Sequence, residues 1–552
     1  MPRKNENEPA SHLSRRKFLG SAAVLGAASL ARTPLMMRDK NTAPESDVAP
    51  FELDEITVAE LQEGMKSGKF TAHSVVQKYL DRINEIDTQG PAINSVIEIN
   101  PDALSIADSL DEERKSRGQR GPLHGIPVLI KDNIGTSDRM MTTAGSLALS
   151  GFTPTKDSGV ARRLREAGAV ILGKTNLSEW ANFRSNSSSS GWSGRGGQTH
   201  NPYATDRNPC GSSSGSGAAA SANLAAITIG TETDGSIVCP SSANGVVGIK
   251  PTVGLVSRAG IIPISHSQDT AGPICRSVAD AAALLSAIAA VDADDPATKA
   301  SIRKAYPDYT RFLDKGGLRG ARIGIVRKLF FMHDKLDPVM KAALDAMKSE
   351  GAVLVDPVAI ETLGKFDASE NIVLQYEFKA DMRAYLAQFP NAPVHSLKDI
   401  IEFNEQNHDK ELLYFGQEVM IESERRGPLT EKTYLDALAK NHLLARQQGI
   451  DAVMDKYKLD ALVAPTGGPA WVTDLVNGDH DTGGSSSPAA VAGYPNINVP
   501  AGFVFGLPVG ISFFGRAWSE PALIKIAYAF EQTTRVRKPP QFLGTANLET
   551  NS

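Results

Sequence analysis

The most unusual run in the sequence is Asn208-Pro-Cys-Gly-Ser-Ser-Ser-Gly-Ser-Gly217. After a short apolar segment it is followed by Gly230-Thr-Glu-Thr-Asp-Gly-Ser-Ile-Val-Cys-Pro240. Glycine and serine at this density cannot fill a hydrophobic core. They suit a place where the backbone approaches another group closely, or where N–H groups point into a cavity.

Three interpretations of these runs compete. A flexible linker is disfavoured because the runs are embedded between apolar segments and contain no charged spacer. A phosphate-binding loop is disfavoured because the run 211–217 lacks the Gly-Lys-Ser/Thr ending, and no dinucleotide fingerprint is present. The remaining interpretation is a nucleophilic serine whose neighbouring backbone N–H groups form an oxyanion hole. This interpretation predicts an acyl-transfer site.

Alternating strand and helix patterns surround the two runs. The apolar segments 126–130 and 169–173 predict buried strands, and the amphipathic segment 160–168 predicts a helix between them. Further strands are predicted at 224–229, 321–326, 352–355, 459–464, 496–499 and 509–514, and further helices at 338–350 and 521–533. This succession predicts an α/β fold with a mixed central sheet covered by helices on both faces.

Several separate motifs occur in an order that resembles the amidase-signature hydrolases. They are Gly125 to Asn133, Gly211 to Ser216, Gly230 to Pro240, Gly245 to Thr252 and Leu507 to Ile511. Together they extend over nearly the whole chain after the N-terminal segment. The resemblance implies a single large amidase-signature domain and an amide-hydrolysing activity.

The same resemblance implies a Ser-Ser-Lys triad. Ser236 is then the nucleophile, Ser212 the bridging serine and Lys131 the base. The backbone N–H groups of Thr233, Asp234, Gly235 and Ser236 are implied to form the oxyanion hole. No metal and no organic cofactor is needed for this chemistry.

The chemistry of the residues agrees with that assignment. A serine hydroxyl is a weak nucleophile at neutral pH and needs a positioned base. A lysine can act as that base only when it is neutral, and burial lowers its pKa by several units. The apolar run before Lys131 predicts such burial. The Gly-x-Ser-x-Gly turn of the α/β-hydrolases does not occur in a strand-to-helix context here.

Three positions depart from the family's common pattern. Asp234 stands where glycine is common, Glu232 where aspartate is common, and Val238 where arginine is usual. The extra carboxylate at Asp234 is expected either to contact a polar group of the substrate or to cap local backbone. The run 210–217 together with the run 230–236 most resembles the peptide amidase branch, whose members remove the amide from peptide C-termini.

Composition excludes other classes of protein. The chain is 41% hydrophobic and 22% charged, with a formal net charge of -5. An acidic balance disfavours a nucleic-acid partner. The three cysteines, Cys210, Cys239 and Cys275, are too few for a disulfide framework or a zinc site. We expect each to be a small buried side chain, and the sequence leaves open whether any two of them pair.

The N-terminal segment resembles an export signal. Ser14-Arg15-Arg16-Lys17-Phe18-Leu19 is similar to the twin-arginine motif, and the apolar run 18–30 is too short to span a membrane. We therefore expect a signal peptide at 1–31, a linker at 32–50 and the catalytic domain at 51–545, with a helical section at about 361–457. The protein is expected in the periplasm or secreted, without a stable membrane anchor.

Two other functions compete with hydrolysis. One is that of a catalytically silent relative that binds amides, which the presence of Lys131, Ser212 and Ser236 disfavours. The other is that of the amidotransferase component that acts on charged tRNA, which the export signal and the acidic balance disfavour. The expected partners are small-molecule or peptide amides, with aryl or aliphatic amides as the alternative to peptides, and the protein is expected to be a monomer or homodimer.

Substrate specificity is expected in the section 361–457 and in the loop 466–487. Three aromatic residues are candidates for lining an acyl pocket: Trp471, Tyr494 and Phe514. Each is also compatible with an ordinary core position.

Overall fold

The computed structural model of the protein describes residues 48–330 and 333–548. The expected signal peptide at 1–31 and most of the linker at 32–50 lie outside these residues, so both stay predictions. No helix in the described ranges is long and apolar enough to cross a membrane.

Thirteen strands occur in the described residues, eleven of them in one sheet and two in a small hairpin. They are β1 (Val96–Ile99), β2 (Pro127–Lys131), β3 (Val170–Thr175), β4 (Trp192–Ser193), β5 (Gly197–Gln198), β6 (Ile227–Glu232), β7 (Val247–Lys250), β8 (Thr270–Cys275), β9 (Arg322–Ile325), β10 (Val353–Val355), β11 (Ala461–Pro465), β12 (Asn496–Val504) and β13 (Leu507–Phe514).

The large sheet is mixed. Its strand order is β1-β3-β2-β6-β8-β7-β12-β13-β11-β9-β10. Strand β2 pairs in parallel with both β3 and β6, whereas β6 pairs antiparallel with β8. Strands β9, β10 and β11 form a second parallel group at the other end of the sheet. The predicted mixed sheet is therefore confirmed.

Helices cover this sheet. They are α1 (Val58–Lys66), α2 (Ala72–Arg82), α3 (Ala103–Arg117), α4 (Gly159–Glu166), α5 (Ser214–Ser221), α6 (Val238–Ala243), α7 (Val278–Ile288), α8 (Leu336–Ser349), α9 (Asp367–Leu386), α10 (Leu397–Gln406), α11 (His408–Glu411), α12 (Glu418–Glu424), α13 (Lys432–His442), α14 (Asp451–Tyr457), α15 (Ser487–Ala492) and α16 (Glu520–Thr534). Every residue of β2, β3 and β6 is buried. Successive strand residues point to opposite faces, so both faces of the central sheet are covered.

The segment 361–457 holds helices α9 to α14 and no described strand. Helix α9 packs against α12 and α13. A separate hydrophobic cluster, which includes Phe378, Met382 and Phe389 of this segment, packs against Phe152 and Trp180. The helical segment thus forms one wall above the edge of the sheet where β2 and β6 end.

Candidate active site

Two parallel strands place the predicted residues at one edge of the sheet. Lys131 is the last residue of β2, and Thr231 is next to last in β6. The strands pair with Ile130 opposite Ile229. The carboxyl ends of parallel strands meet at the same edge of a sheet. Lys131 therefore lies beside the loop after β6 that carries Ser236.

The first serine run approaches this edge because its glycines leave room. A Cβ atom on Gly215 would lie 2.3 Å from the backbone oxygen of Ser95 and 2.5 Å from that of Asn176. Only glycine permits such a close approach of backbone to backbone. The start of α5 therefore lies directly against the strands, and Ser212 and Ser213 lie there with it.

Lys131 is fully buried and faces hydroxyl groups. Its Nζ lies 2.7 Å from Ser212 Oγ, 3.1 Å from Ser213 Oγ and 3.0 Å from Thr231 Oγ1, and it donates to the Thr231 backbone oxygen at 3.3 Å. Burial lowers the pKa of Lys131 to about 7, against weaker opposing effects of Asp269 and Glu232. A large fraction of this amine is therefore neutral near pH 7.

The hydrogen bonds distinguish the two adjacent serines. The Ser213 hydroxyl donates to the Thr231 backbone oxygen at 3.0 Å and accepts from the Thr231 N–H at 3.1 Å. A hydroxyl has one proton, so Ser213 receives a hydrogen bond from Lys131 and gives none back. Ser212 Oγ has no second hydrogen bond among the described residues. Its proton is free to point at the lone pair of neutral Lys131.

Ser236 lies at the end of a tight loop after β6. Gly235 has φ +79°, a conformation that side-chain-bearing residues rarely adopt. The Ser236 backbone oxygen accepts from the Ser213 N–H at 3.2 Å, which fixes the two serine runs against each other. No hydrogen bond joins the Oγ atoms of Ser212 and Ser236 in the described chain. The structure thus contains the Lys131–Ser212 contact and lacks the Ser212–Ser236 contact.

The predicted oxyanion-hole donors lie in this same loop. Within the described residues, the backbone N–H groups of Thr233, Asp234, Gly235 and Ser236 donate to no other protein group. The next two N–H groups, of Ile237 and Val238, are occupied by the Glu232 carboxyl at 2.7 and 3.0 Å. The four unused donors are available to a ligand's oxygen.

Two cavities flank the loop. The first has a volume of about 340 Å³ and reaches the site at Asn133, Thr231 and Thr233. Its lining includes the largely apolar side chains of Ile262, Pro263, Ile264 and Tyr385.

The second cavity has a volume of about 240 Å³ and adjoins both serine runs through Gly211, Asp234 and Gly235. Of the three aromatic candidates for an acyl pocket, Trp471 lines this cavity. The other two line neither cavity. Phe514 is fully buried in the core, and the Tyr494 hydroxyl donates to Asp451 Oδ2 at 2.8 Å outside both cavities.

One described cluster, on the wall of the first cavity, combines side chains of the types that bind metals. His266 Nδ1 lies 2.9 Å from Asp381 Oδ2, and His266 Nε2 lies 3.3 Å from Glu377 Oε1. Although burial opposes it, the hydrogen bond to Asp381 and the charge of Glu377 raise the pKa of His266. Each ring nitrogen of His266 thus faces a carboxylate oxygen.

Comparison with known proteins agrees with this geometry. A family model described as amidase matches residues 74–524. The chain belongs to the amidase family. It is 45% identical over 503 residues to a protein of Arabidopsis thaliana described as a probable amidase, covering 89% of this chain and 93% of the relative. It is 37% identical over 536 residues to a protein of Schizosaccharomyces pombe described as a putative amidase, covering 91% of this chain and 89% of that protein.

Solved structures show to which branch of the family this amidase is similar. The peptide amidase of Stenotrophomonas maltophilia is 53% identical, with a TM-score of 0.86 and coverage of 89% of this chain and 100% of that one. An amidase family protein of Bacillus anthracis is 38% identical, with a TM-score of 0.81 and coverage of 89% and 93%. The predicted fold and the predicted placement in the peptide amidase branch are confirmed. The amidase is an enzyme that hydrolyses amide C–N bonds.

The unusual carboxylate at Asp234 has a partner that the sequence patterns did not indicate. Glu370, in the first turn of α9, contacts the Asp234 carboxyl, as do Ser486 and Ser487. Burial, with the adjacent Asp234 charge, raises the pKa of Glu370 well above its usual value. Asp234 thus faces another side chain rather than capping nearby backbone. Because Glu370 lies in a distant helix without a motif, only the folded structure identifies it.

A disulfide joins the two serine runs of the amidase. Cys210, two residues before Ser212, pairs with Cys239, three residues after Ser236, and their Cα atoms are 6.0 Å apart. The expectation that these two cysteines are simple buried side chains was therefore wrong. The implied triad already required the two runs to meet in space, but it did not predict that their cysteines pair. Cys275 is unpaired and buried, as expected.

Proposed function

We propose that this amidase hydrolyses carboxamides through a proton relay of Lys131, Ser212 and Ser236. The observation that carries the proposal is the 2.7 Å contact between the buried Lys131 Nζ and Ser212 Oγ. A neutral amine and a hydroxyl with an uncommitted proton form a base and its first proton donor.

The cycle begins with the neutral amine. Lys131 Nζ takes the proton of Ser212, and Ser212 Oγ takes the proton of Ser236 as Ser236 Oγ attacks the amide carbon. For this step, Ser236 Oγ must come within hydrogen-bond reach of Ser212 Oγ, and such contacts commonly tighten when substrate binds. The carbonyl π electrons move to oxygen, which gives a tetrahedral oxyanion.

The oxyanion is stabilised by the unused N–H groups of the loop from Thr233 to Ser236. Each such donor contributes roughly 3–4 kcal/mol to lowering the barrier. The C–N bond then breaks as the proton returns through Ser212 to the departing nitrogen. Water attacks the seryl ester by the same relay in reverse, which releases the carboxylic acid and restores Ser236.

The proposed substrates are peptides that end in a C-terminal carboxamide, from which the enzyme releases ammonia. Two observations support this substrate class. The peptide amidase of Stenotrophomonas maltophilia is similar over nearly the whole described chain. The first cavity, which reaches the loop at Thr233, includes the apolar side chains of Ile262 and Ile264 in its lining.

We further propose that the protein is exported through the twin-arginine pathway. The main observation for export is the twin-arginine motif around Arg15 and Arg16. The disulfide between Cys210 and Cys239 supports it independently, because disulfides persist in oxidising compartments. Replacing both arginines by lysine should retain the protein in the cytoplasmic fraction. Unchanged amounts in the periplasm or medium would refute the export proposal.

A serine-directed acylating probe tests the nucleophile. A phosphonate or sulfonyl fluoride should add one label per chain, and mass spectrometry of the digested protein should locate it on Ser236. The Ser236→Ala variant should remain unlabelled while its circular dichroism spectrum is unchanged. A label on Ser212 or Ser213 of the native enzyme would overturn the assignment.

A matched panel of amides tests the substrate class. Ammonia release would be measured for a dipeptide amide, an aryl amide and an aliphatic amide, and acid release for the same dipeptide extended by one residue. We expect the largest kcat/KM for the dipeptide amide. A larger value for the aryl or aliphatic amide would move the proposal to non-peptide amides, and inactivity of the folded protein on all would overturn it.

A further inference from the structure

The second cavity has an unusual charge. Three carboxylates line it, those of Asp234, Asp479 and Asp481, and among its described lining residues none is a lysine, arginine or histidine. The first cavity also has carboxylates, those of Asp269, Asp294, Asp295 and Asp381, but there Arg258 pairs with Asp295 and His266 with Asp381. In a partly buried site such charges act over a few ångströms without full screening.

One of these carboxylates is held firmly in place. Asp479 Oδ1 accepts from the Trp471 Nε1–H at 3.1 Å, and the carboxylate also accepts from the Ser190 N–H at 3.1 Å. The Asn208 amide donates to it at 3.3 Å. These donors fix Asp479 beside Trp471, whose aromatic ring is of the kind that attracts cations.

Two oxygen atoms of the lining lack partners. Asp234 Oδ1 and Asn182 Oδ1 are both buried and accept no hydrogen bond from the described protein. The amide nitrogen of Asn182 already donates to Ser190 Oγ at 3.0 Å. Unpaired buried acceptors are rare in folded proteins and call for a donor. The walls therefore match a ligand that brings N–H groups or positive charge.

The Asp234 carboxyl contacts that of Glu370. Burial raises the pKa of both groups, that of Glu370 well above its usual value. The charge of nearby Lys250 acts in the opposite direction on Asp234 and favours its ionised form.

The position of the cavity relates this chemistry to the reaction. Gly211 lines it and directly precedes Ser212, the residue that returns a proton to the departing nitrogen. Asp234 and Gly235 line it and directly precede Ser236. The second cavity thus adjoins the backbone next to both serines, whereas the first reaches the site at Asn133, Thr231 and Thr233.

We propose that the second cavity is the subsite for the leaving amine, and that its carboxylates select ammonia and cationic amines against leaving groups that carry a carboxylate. The inference rests on the proposed relay and specifies its leaving-group side. Hydrolysis of an ordinary peptide bond next to the C-terminus would release an amino acid, whose α-carboxylate would face Asp234 and Asp479. Like charges repel there, so the enzyme removes a terminal amide and leaves the peptide bond intact.

Four substrates with one acyl group test the subsite. Their leaving groups are ammonia, the monocation of 1,2-diaminoethane, neutral propylamine and glycine, the last three being similar in size. We expect kcat/KM to fall by about tenfold from cation to neutral amine and by about tenfold again to glycine. Equal kcat/KM for the cationic and the anionic leaving group would overturn the inference. Absence of ammonia release from the primary amide would instead contradict the proposed function.

An isosteric variant of Asp479 tests the effect of its charge without a change in side-chain size. Asp479→Asn should reduce the cation-to-glycine ratio of kcat/KM by about tenfold. Asp345→Asn removes an equal charge from an exposed ion pair on α8 and should leave the ratio unchanged. An unchanged ratio in Asp479→Asn, with thermal unfolding like that of the native protein, would overturn the inference. If Asp479→Asn fails to fold, competitive inhibition of the native enzyme decides: it should be stronger with 1,2-diaminoethane than with glycine, and the reverse order would overturn the inference.

Discussion

Two fully buried lysines on neighbouring strands differ in what surrounds them. Lys131 ends β2, and Lys174 lies in β3 opposite Ile130. Lys131 Nζ faces the hydroxyls of the serine run, whereas Lys174 Nζ donates to the Ile134 backbone oxygen at 2.5 Å and to Thr142 Oγ1 at 2.8 Å.

Burial lowers the pKa of both amines, to about 7 for Lys131 and about 8 for Lys174. The nearby Asp132 charge partly restores that of Lys174. A low pKa is therefore not enough to make a base. The base also needs a hydroxyl beside the loop of the nucleophile. Ser212 provides it for Lys131, because the next residue, Ser213, donates its N–H to the Ser236 backbone oxygen.

The largest expected effect follows from removing the base. Lys131→Met keeps an unbranched apolar chain in the buried position and removes the amine. We expect kcat/KM for a peptide amide to fall by roughly 10³- to 10⁴-fold, as is typical when a general base is lost. Steady-state kinetics on protein with a native circular dichroism spectrum checks this. A loss below about tenfold would remove Lys131 from the relay.

A smaller effect separates the two serines that face Lys131. Ser212→Ala breaks the relay, and we expect kcat to fall by roughly 10²- to 10³-fold with KM nearly unchanged. Ser213→Ala removes the hydrogen bonds between the Ser213 hydroxyl and the Thr231 backbone, and we expect kcat to fall by about tenfold. Measuring both variants side by side tests the proton assignment. The reverse order would mean that Ser213 carries the proton to Lys131.

The centre of this site is predictable from the sequence because its residues lie in motifs. Lys131 and Ser212 belong to separate motifs, and the paired strands bring them to 2.7 Å. The spacing from Ser236, by resemblance to the family, favours Ser212 over Ser213 but gives no physical reason. The structure adds one, because the N–H and carbonyl oxygen of Thr231 occupy the Ser213 hydroxyl.

Other parts of the molecule are not predictable from local pattern. Strand β8 contains Gly272-Pro273, and both residues usually argue against a central strand. Gly272 is required there because a Cβ would lie 2.0 Å from the Ile249 backbone oxygen. The contact of Asp234 with Glu370 depends on tertiary packing of the helical segment. Contacts between distant segments leave no periodic trace in the sequence.

The pH dependence of kcat/KM tests whether neutral Lys131 is the base. The relay needs neutral Lys131, and the neutral fraction increases as pH rises through its pKa of about 7. We expect kcat/KM to rise about tenfold per pH unit below that value and to level off above it. The rate would be measured from about pH 5 to about pH 9. A flat profile, or one that falls with rising pH in this range, would contradict a neutral-lysine base.

The smallest effect on catalysis is expected at the second lysine. Lys174→Met leaves the Ile134 carbonyl oxygen without its donor, so we expect the free energy of unfolding to fall by about 1–3 kcal/mol. Lys174 contacts neither serine, so kcat of the folded variant should stay within about threefold of the native value, with the same pH profile. Chemical denaturation and kinetics on one preparation measure both. If Lys174→Met lost as much activity as Lys131→Met while folded, the relay would extend beyond the serine run. The distinction drawn from the contact of Lys131 with the serine run would then fail.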